Sequence, residues 1–345
     1  MSAAPVSAEL APLTTLRLGG PARRLIAVDR EDELVAAVRD LDAEGEPLLL
    51  LAGGSNLGIA DRGFAGTVVH VQTRGIARDG ETVTVQAGEP WDVLVNRTVR
   101  EGLAGLECLS GIPGSTGATP IQNVGAYGQE VSQTIVAVRV YDRRARRVEE
   151  LPADALGFRY RSSALKGGDD RVVLAVRFDL REAQLGEPIA YAELARALGV
   201  AVGERAPLPD VREAVLRLRG GKGMVVDPAD PDSVSAGSFF TNPILDADAF
   251  AALRERAAPA DPPAFGEPDG RVKTSAAWLI ERAGFARGHG EGRVGISRKH
   301  TLALVNRGGA TTAELVALAR EVAAGVRERF GVDLEPEPVF VGHEW

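Results

Sequence analysis

Apolar positions along the chain follow two periods, and the changes between them mark out elements. Over residues 31–44, Leu34, Val38 and Leu41 recur at helical steps, and Asp29 stands where a cap is expected. Pro47 and the run 48–52 (LLLLA) then predict a buried strand. Residues 67–71 (TVVHV) read as the next strand, and 82–87 (TVTVQA) alternate as a half-buried strand does. A helix is expected over 90–101, ending before Gly102, and strands over 136–142 and 171–180. Further on, helices are expected near 275–284 and over about 312–330. The last has a capping-box start, Thr311 to Glu314, and an apolar stripe of Leu315, Leu318, Val322 and Val326. The tail 332–342 reads as extended, and no internal repeat is visible.

The periodicity fails in two places. Residues 102–128 hold too many glycines for a helix and two prolines, Pro113 and Pro120, that break a strand. So long a loop inside a compact domain is usually functional. Residues 181–210 are polar and contain proline, the pattern of a domain junction.

The 345 residues suit two or three domains. Hydrophobic residues at 45% and charged residues at 26% suit an ordinary globular core. Lys+Arg 40 against Asp+Glu 48 leaves a net charge of −8, which argues against coating nucleic acid or an anionic membrane. Cys108 is the one cysteine, so no disulfide framework or CxxC pair is available. His70, His289, His300 and His343 lie far apart without zinc-ligand spacing, so no metal is expected. No apolar run reaches about 18 residues, so no membrane span is expected. The start, MSAAPVSAELAPL, lacks a basic stretch followed by an apolar one, and the expected compartment is the cytoplasm. Glycine is the unusual count: 40 residues, clustered in short loops between apolar segments, as suits backbone that approaches a ligand closely.

Five of these stretches could carry chemistry. Gly53-Gly54-Ser55-Asn56 follows a strand and offers successive amides to phosphate oxygens, although a tight turn accounts for the same residues. It lacks the GxGxxG spacing of a nicotinamide-type Rossmann domain. Ile112-Pro113-Gly114-Ser115-Thr116-Gly117, with Gln122-Asn123 and Gly125-Ala126-Tyr127, combines small residues for a pyrophosphate with directional groups for a flat heterocycle. A self-bonded Ω-loop is the alternative. Two such loops together point towards a dinucleotide cofactor. Arg161, between Tyr160 and Ser162, has an aromatic setting that suits a carboxylate or phosphate partner, and a solvated surface charge is the alternative. Ser238, after Ala236-Gly237 and before Phe239-Phe240, suits a confined proton donor or a turn serine. Glu337 lies between Pro336 and Pro338, which stiffen its backbone, and a solvated charge is the alternative.

In order along the chain, TTLRLGGPA at 14–22, AGGSNLG, GIPGSTGATPIQNVGAYG, YRSS, AGSFFTNP and LEPEPVFVG resemble the UDP-N-acetylenolpyruvoylglucosamine reductase family, over nearly the whole length. The resemblance implies an α+β fold. A two-subdomain FAD-binding module of the vanillyl-alcohol-oxidase type would span 13–72 and 73–182. A C-terminal α+β substrate domain with its junction would span 183–331, and 332–345 would form a tail bearing a catalytic carboxylate.

It also implies reduction of the enolpyruvyl double bond of a UDP-sugar, with non-covalent FAD as cofactor and NADPH as reductant, in peptidoglycan precursor synthesis. Arg161, Ser238 and Glu337 match the catalytic positions, with Glu335 as the alternative carboxylate. The cofactor positions are Gly53, Gly54, Ser55, Asn56, Ile112, Pro113, Gly114, Ser115, Gly117, Ala118, Gln122, Asn123, Gly125, Ala126 and Tyr127. Tyr191, Lys222, Asn242 and His300 match substrate contacts. A monomer is expected, with no nucleic-acid or membrane partner. The competing readings are another flavin-dependent oxidase of the same fold and a non-catalytic nucleotide-binding module.

Overall fold

The computed structural model describes residues 8–345; residues 1–7 of the stretch read for a secretory pattern lie outside the described residues. The chain forms two compact units and shares itself between them discontinuously. Of the described residues, the first holds 8, 22–54 and 64–221, and the second holds 9–21, 55–63 and 222–345.

In the first unit, Phe64–Val71 lies between Pro21–Val28 and Leu48–Leu51 in a parallel sheet, with Val68 opposite both Leu25 and Leu49. Central position explains why Val68 and Val69 are fully buried. Leu48–Leu51 is the edge strand of that group, so Leu48, Leu49 and Leu50 are only half-buried, and the strand is less enclosed than its apolar run suggested. Helix α1 (Glu31–Glu44) connects the strands and buries Leu34, Val38 and Leu41. Its N-cap is Arg30 and not Asp29, and no side chain caps it. Glu31, Asp32 and Glu33 instead place negative charge in the first turn, where the helix dipole favours it.

A five-stranded antiparallel sheet runs in the order Arg147–Pro152, Ile135–Asp142, Arg171–Asp179, Thr82–Gln86, Ile76–Asp79. Tyr141, Val172 and Leu174 of this sheet share one core with Val28, Val69 and the apolar face of α1. Val83, Val85, Val176 and Phe178 share another with Trp91, Leu94 and Val95 of α2 (Trp91–Arg100). Residues 181–210, read as a junction, carry α3 (Ala192–Leu198), and α4 (Leu208–Gly221) begins at their end. Leu194, Val211 and Val215 pack with Ile189 and Cys108, and the first compact unit runs on to Gly221. A seven-residue helix is too short for its period to show in sequence.

The second unit holds α5 (Ala247–Ala257), α6 (Ala276–Arg282) and α7 (Thr312–Phe330). The Thr311–Glu314 capping box forms in both directions, and all four residues of the expected stripe are buried. They pack with Leu16, Leu18, Phe239, Phe240 and Leu279. Polar ties recruit the two early segments. Asn306 Nδ2 donates to the Leu16 carbonyl at 3.0 Å. Asp61 accepts from the Thr312 and Ala313 amides at 2.7 and 3.0 Å, a carboxylate set on a helix N-terminus. Leu57–Ile59 also pairs in parallel with Val339–Val341. Among the described residues, no helix is long and apolar enough to cross a membrane.

Candidate active site

In the first unit the two glycine loops meet backbone to backbone. A Cβ added to Gly53 would lie 2.6 Å from Gly114 Cα, so no larger side chain fits there without displacing the loop. Gly114 itself has φ +115°, outside the range of L side chains. The second loop is pinned on its other side by Thr116 and Gly117 amides, each 2.8 Å from the carbonyls of Glu89 and Ala87, and by the Trp91 amide, 3.0 Å from the Gly114 carbonyl. Among the described residues, the amides of Gly53, Gly54, Gly114 and Ser115 make no hydrogen bond. Bare main chain with open donors is the donor set a pyrophosphate requires, so these loops fit a dinucleotide cofactor.

Asn123, Tyr127 and Arg161 all have positive φ (42°, 50° and 49°), a conformation that costs non-glycine residues of order 1–3 kcal/mol each. They are joined. Arg159 and Ser162 exchange both backbone hydrogen bonds, leaving Tyr160 and Arg161 as a two-residue turn. The Arg161 guanidinium turns back and donates from Nη2 to the Gly125 carbonyl at 2.9 Å, and lies 5.3 Å from the Tyr160 ring centre. Asn123 Nδ2 donates to the Arg159 carbonyl at 3.2 Å and to Glu130 Oε2 at 2.8 Å. Ser163 Oγ donates to the Ile121 carbonyl at 2.9 Å. The YRSS turn and loop 121–127 therefore form one braced body. Tyr191 stands edge-on to Tyr127, with ring centres 5.9 Å apart, and is half exposed. Gln122 and Asn123 are buried, Ile112 and Pro113 half-buried, and Ala118 exposed on the loop's rim.

Arg219, on α4, was not singled out by sequence reasoning. The residue is 9% exposed, and burial pulls its pKa down to about 10; Tyr127 and Asp92 oppose that shift and Arg161 adds to it. The run LRLRGG reads as an ordinary helical surface, so only the fold identifies this buried cation. Asp92 was also missed. It accepts the Gly111 amide at 2.6 Å and takes two hydrogen bonds from Arg212 at 2.7 Å each, which fixes the entry to loop 112–118. Burial would raise the Asp92 carboxyl; the Arg212 and Gly111 bonds outweigh it and hold the carboxyl below its ordinary range. Burial pushes the Cys108 thiol far up, and the charges of Glu107 and Glu187 add to that.

Ser55, Asn56, Lys222, Ser238, Asn242, His300 and Glu337 belong to the second unit, so the AGGSN loop passes from one unit to the other after Gly54. Ser238 is half-buried, with its neighbour Phe239 held on both sides. The Phe239 amide donates to Leu302 at 2.7 Å, and its carbonyl accepts the Glu337 amide at 2.8 Å. The Thr241 amide donates to the Glu335 carbonyl at 3.0 Å, so the two segments run as an antiparallel ribbon. Glu337 is half-buried and Glu335 exposed. Asn56 adds a third strand of contact through its side chain to the Glu337 carbonyl. His300 lies two residues before Leu302, on the turn that carries the Leu302 carbonyl, and is half-buried like Lys222. Asn242 Oδ1 accepts the Ala276 amide at 3.0 Å, which ties it to the first turn of α6.

Comparison with known proteins covers nearly the whole chain. Residues 228–341 match the family model described as UDP-N-acetylenolpyruvoylglucosamine reductase, C-terminal domain, and residues 22–149 match an FAD binding domain. A UDP-N-acetylenolpyruvoylglucosamine reductase of Thermobifida fusca is 60% identical over 343 residues, covering 96% of each chain. One from Streptomyces coelicolor is 60% identical, covering 97% of this chain and 89% of that protein. Among solved structures, the UDP-N-acetylenolpyruvylglucosamine reductase of Thermus caldophilus aligns with a TM-score of 0.68 at 27% identity, covering 98% of both chains.

Proposed function

The chain belongs to the UDP-N-acetylenolpyruvoylglucosamine reductase family, and from that premise we propose how its residues divide the reaction. It is an FAD-dependent oxidoreductase that reduces the enolpyruvyl double bond of its UDP-sugar substrate to the UDP-N-acetylmuramate product, with NADPH as reductant, in peptidoglycan precursor synthesis. Bound FAD supplies the two-electron hydride chemistry that links NADPH to the double bond.

The residues proposed to hold the cofactor are Gly53, Gly54, Ser55 and Asn56 and the loops 112–118 and 122–127. The open amides of Gly53, Gly54, Gly114 and Ser115 would take the pyrophosphate. Non-covalent binding is supported by Cys108: a buried thiol with a raised pKa holds little thiolate and attacks poorly. The parallel-sheet and antiparallel-sheet layers of the first unit are the proposed FAD-binding subdomains. The second unit is the proposed substrate domain, with the tail from 332 carrying the carboxylate. Tyr191, Lys222, Asn242 and His300 are the proposed substrate contacts.

As the double bond is reduced, negative charge gathers on the substrate carboxylate. Arg161 meets that charge with a guanidinium already braced against Gly125, so little reorganisation is needed when the charge develops. Glu337 shares a proton with the same carboxylate and spreads the charge further. Ser238 donates its hydroxyl proton to the carbon next to the carboxylate, which completes the saturation. The observation that carries this assignment is the Glu337 amide on the Phe239 carbonyl, which sets the serine and carboxylate segments side by side. Monomeric assembly in the cytoplasm without nucleic-acid or membrane partners completes the reading.

Rapid mixing of Ser238→Ala tests it. Bleaching of the flavin by NADPH should stay within about twofold of wild type, and recovery of colour with the enolpyruvyl substrate should slow by about a hundredfold or more. Equal slowing of both halves would remove the serine from the proton step.

A further inference from the structure

Behind the Ser238 and Glu337 segments lies a cluster of four aromatic rings that the proposed chemistry does not use. Phe239 and Phe240 follow the serine directly, and Phe340 lies three residues after Glu337. Phe239 meets Phe240 with ring centres 5.1 Å apart and Phe340 at 6.2 Å. Trp345 touches all three. It stacks on Phe340 at 6.1 Å with planes 4° apart, stands edge-on to Phe240 at 5.9 Å and lies tilted to Phe239 at 6.5 Å.

Two polar ties hold the segment that leads to this indole. Arg62 Nη2 donates to the Gly342 carbonyl at 2.8 Å, and Arg320 Nη2 donates to the Glu344 carbonyl at 2.9 Å. Gly58 also lies against Phe340: a Cβ there would sit 2.7 Å from the ring. Phe340 thus contacts both the main chain at Gly58 and the Trp345 indole. Phe239 and Phe240 are fully buried, whereas Trp345 keeps 41% of its surface. An indole so exposed contributes less to the core than its size suggests, yet it spans the two short segments that bear the proposed proton donor and carboxylate.

We propose that Trp345 is a positioning residue for the second half of the reaction: through Phe239, Phe240 and Phe340 it holds the Ser238 segment in register with the Glu337 segment. This rests on the assignment of Ser238 and Glu337 above. Ring contacts of this kind add specific geometry to simple burial, and a shift of the order of 1 Å between reacting groups is enough to cost about a hundredfold in rate.

The test is rapid mixing of the FAD-loaded enzyme carrying Trp345→Ala, Trp345→Phe or Ser238→Ala, with each half of the reaction timed separately. Trp345→Ala should slow recovery of flavin colour with the enolpyruvyl substrate by about tenfold or more and leave bleaching by NADPH within about twofold. Trp345→Phe should recover most of the lost rate, because a six-membered ring can still stack on Phe340. Normal recovery in Trp345→Ala, with Ser238→Ala slow, overturns the positioning role and leaves the serine assignment standing. Normal recovery in Ser238→Ala overturns the serine assignment itself. Equal loss in both halves, or failure of Trp345→Phe to restore the rate, also overturns the proposal. Should Trp345→Ala not retain FAD, Trp345→Leu, which keeps apolar bulk without a ring, is measured in its place against the same criteria.

Discussion

Asn56 holds Glu337 across 281 residues of sequence: its Nδ2 donates to the Glu337 carbonyl at 3.1 Å, and its own carbonyl accepts the Val339 amide at 2.9 Å. The side chain thus acts as an extra rung beside the parallel pairing of Leu57–Ile59 with Val339–Val341. Replacing it by alanine removes one half-buried neutral hydrogen bond, worth about 1 kcal/mol. Asn56→Asp should be the worse change, because a carboxylate oxygen would then face the Glu337 carbonyl with no proton between them. Urea unfolding of both variants, with substrate-driven flavin recovery timed alongside, measures this. Aspartate behaving like wild type would show that the bond places nothing.

Gly53→Ala tests the contact of the two glycine loops. The new Cβ would press on Gly114, where both partners are main chain and neither can swing aside. Overpacking of this kind costs of order 1–3 kcal/mol, and here it should also part the loops that carry the open amides. The expected outcome is a protein that keeps its fold but leaves a size-exclusion column with less flavin per chain. The ratio of flavin to protein absorbance reads it directly, and an unchanged ratio would show that the close approach is incidental to the cofactor.

His70 should make stability sensitive to acid. Its Nδ1 lies 3.1 Å from Gln72 Nε2, and the ring also hydrogen-bonds the backbone of Ala52, immediately before Gly53. Burial lowers its pKa; the Ala52 bond opposes this and the charge of Arg74 adds to it. The folded state therefore binds the proton less readily than the unfolded chain, whose histidine titrates near about 6.5. Stability from this group is full above that value and is lost as pH falls through it towards the lower folded pKa. Urea midpoints measured at intervals from about pH 7.5 to about pH 5 should fall more steeply for wild type than for His70→Gln. Parallel curves would show that the imidazole does not couple to folding.

Local elements were legible from the chain because they depend on neighbours in sequence. Leu34, Val38 and Leu41 marked one face of α1, and the Thr311–Glu314 box marked the start of α7, since helix period and cap chemistry are set within a few residues. Asp29 does not cap α1, since several residues near a helix start can act as its boundary; Arg30 takes that position, and three acids place negative charge in the first turn. α3 went unseen because two turns do not establish a period.

The amino-acid order by itself determined where the loops of small residues lie and which residue types they offer. Glycine, proline, hydroxyl and amide groups carry their backbone preferences wherever they are placed. The fold alone decided which of those loops touch, that Gly53 abuts Gly114, that Arg161 is braced on Gly125, and that the Asn56 side chain reaches the carbonyl of Glu337. It also decided the burial of Arg219 and the convergence of three phenylalanines under Trp345. These relations join residues tens to hundreds of positions apart. They arise inside each unit, where segments far apart in the chain are brought together, and no local preference encodes them.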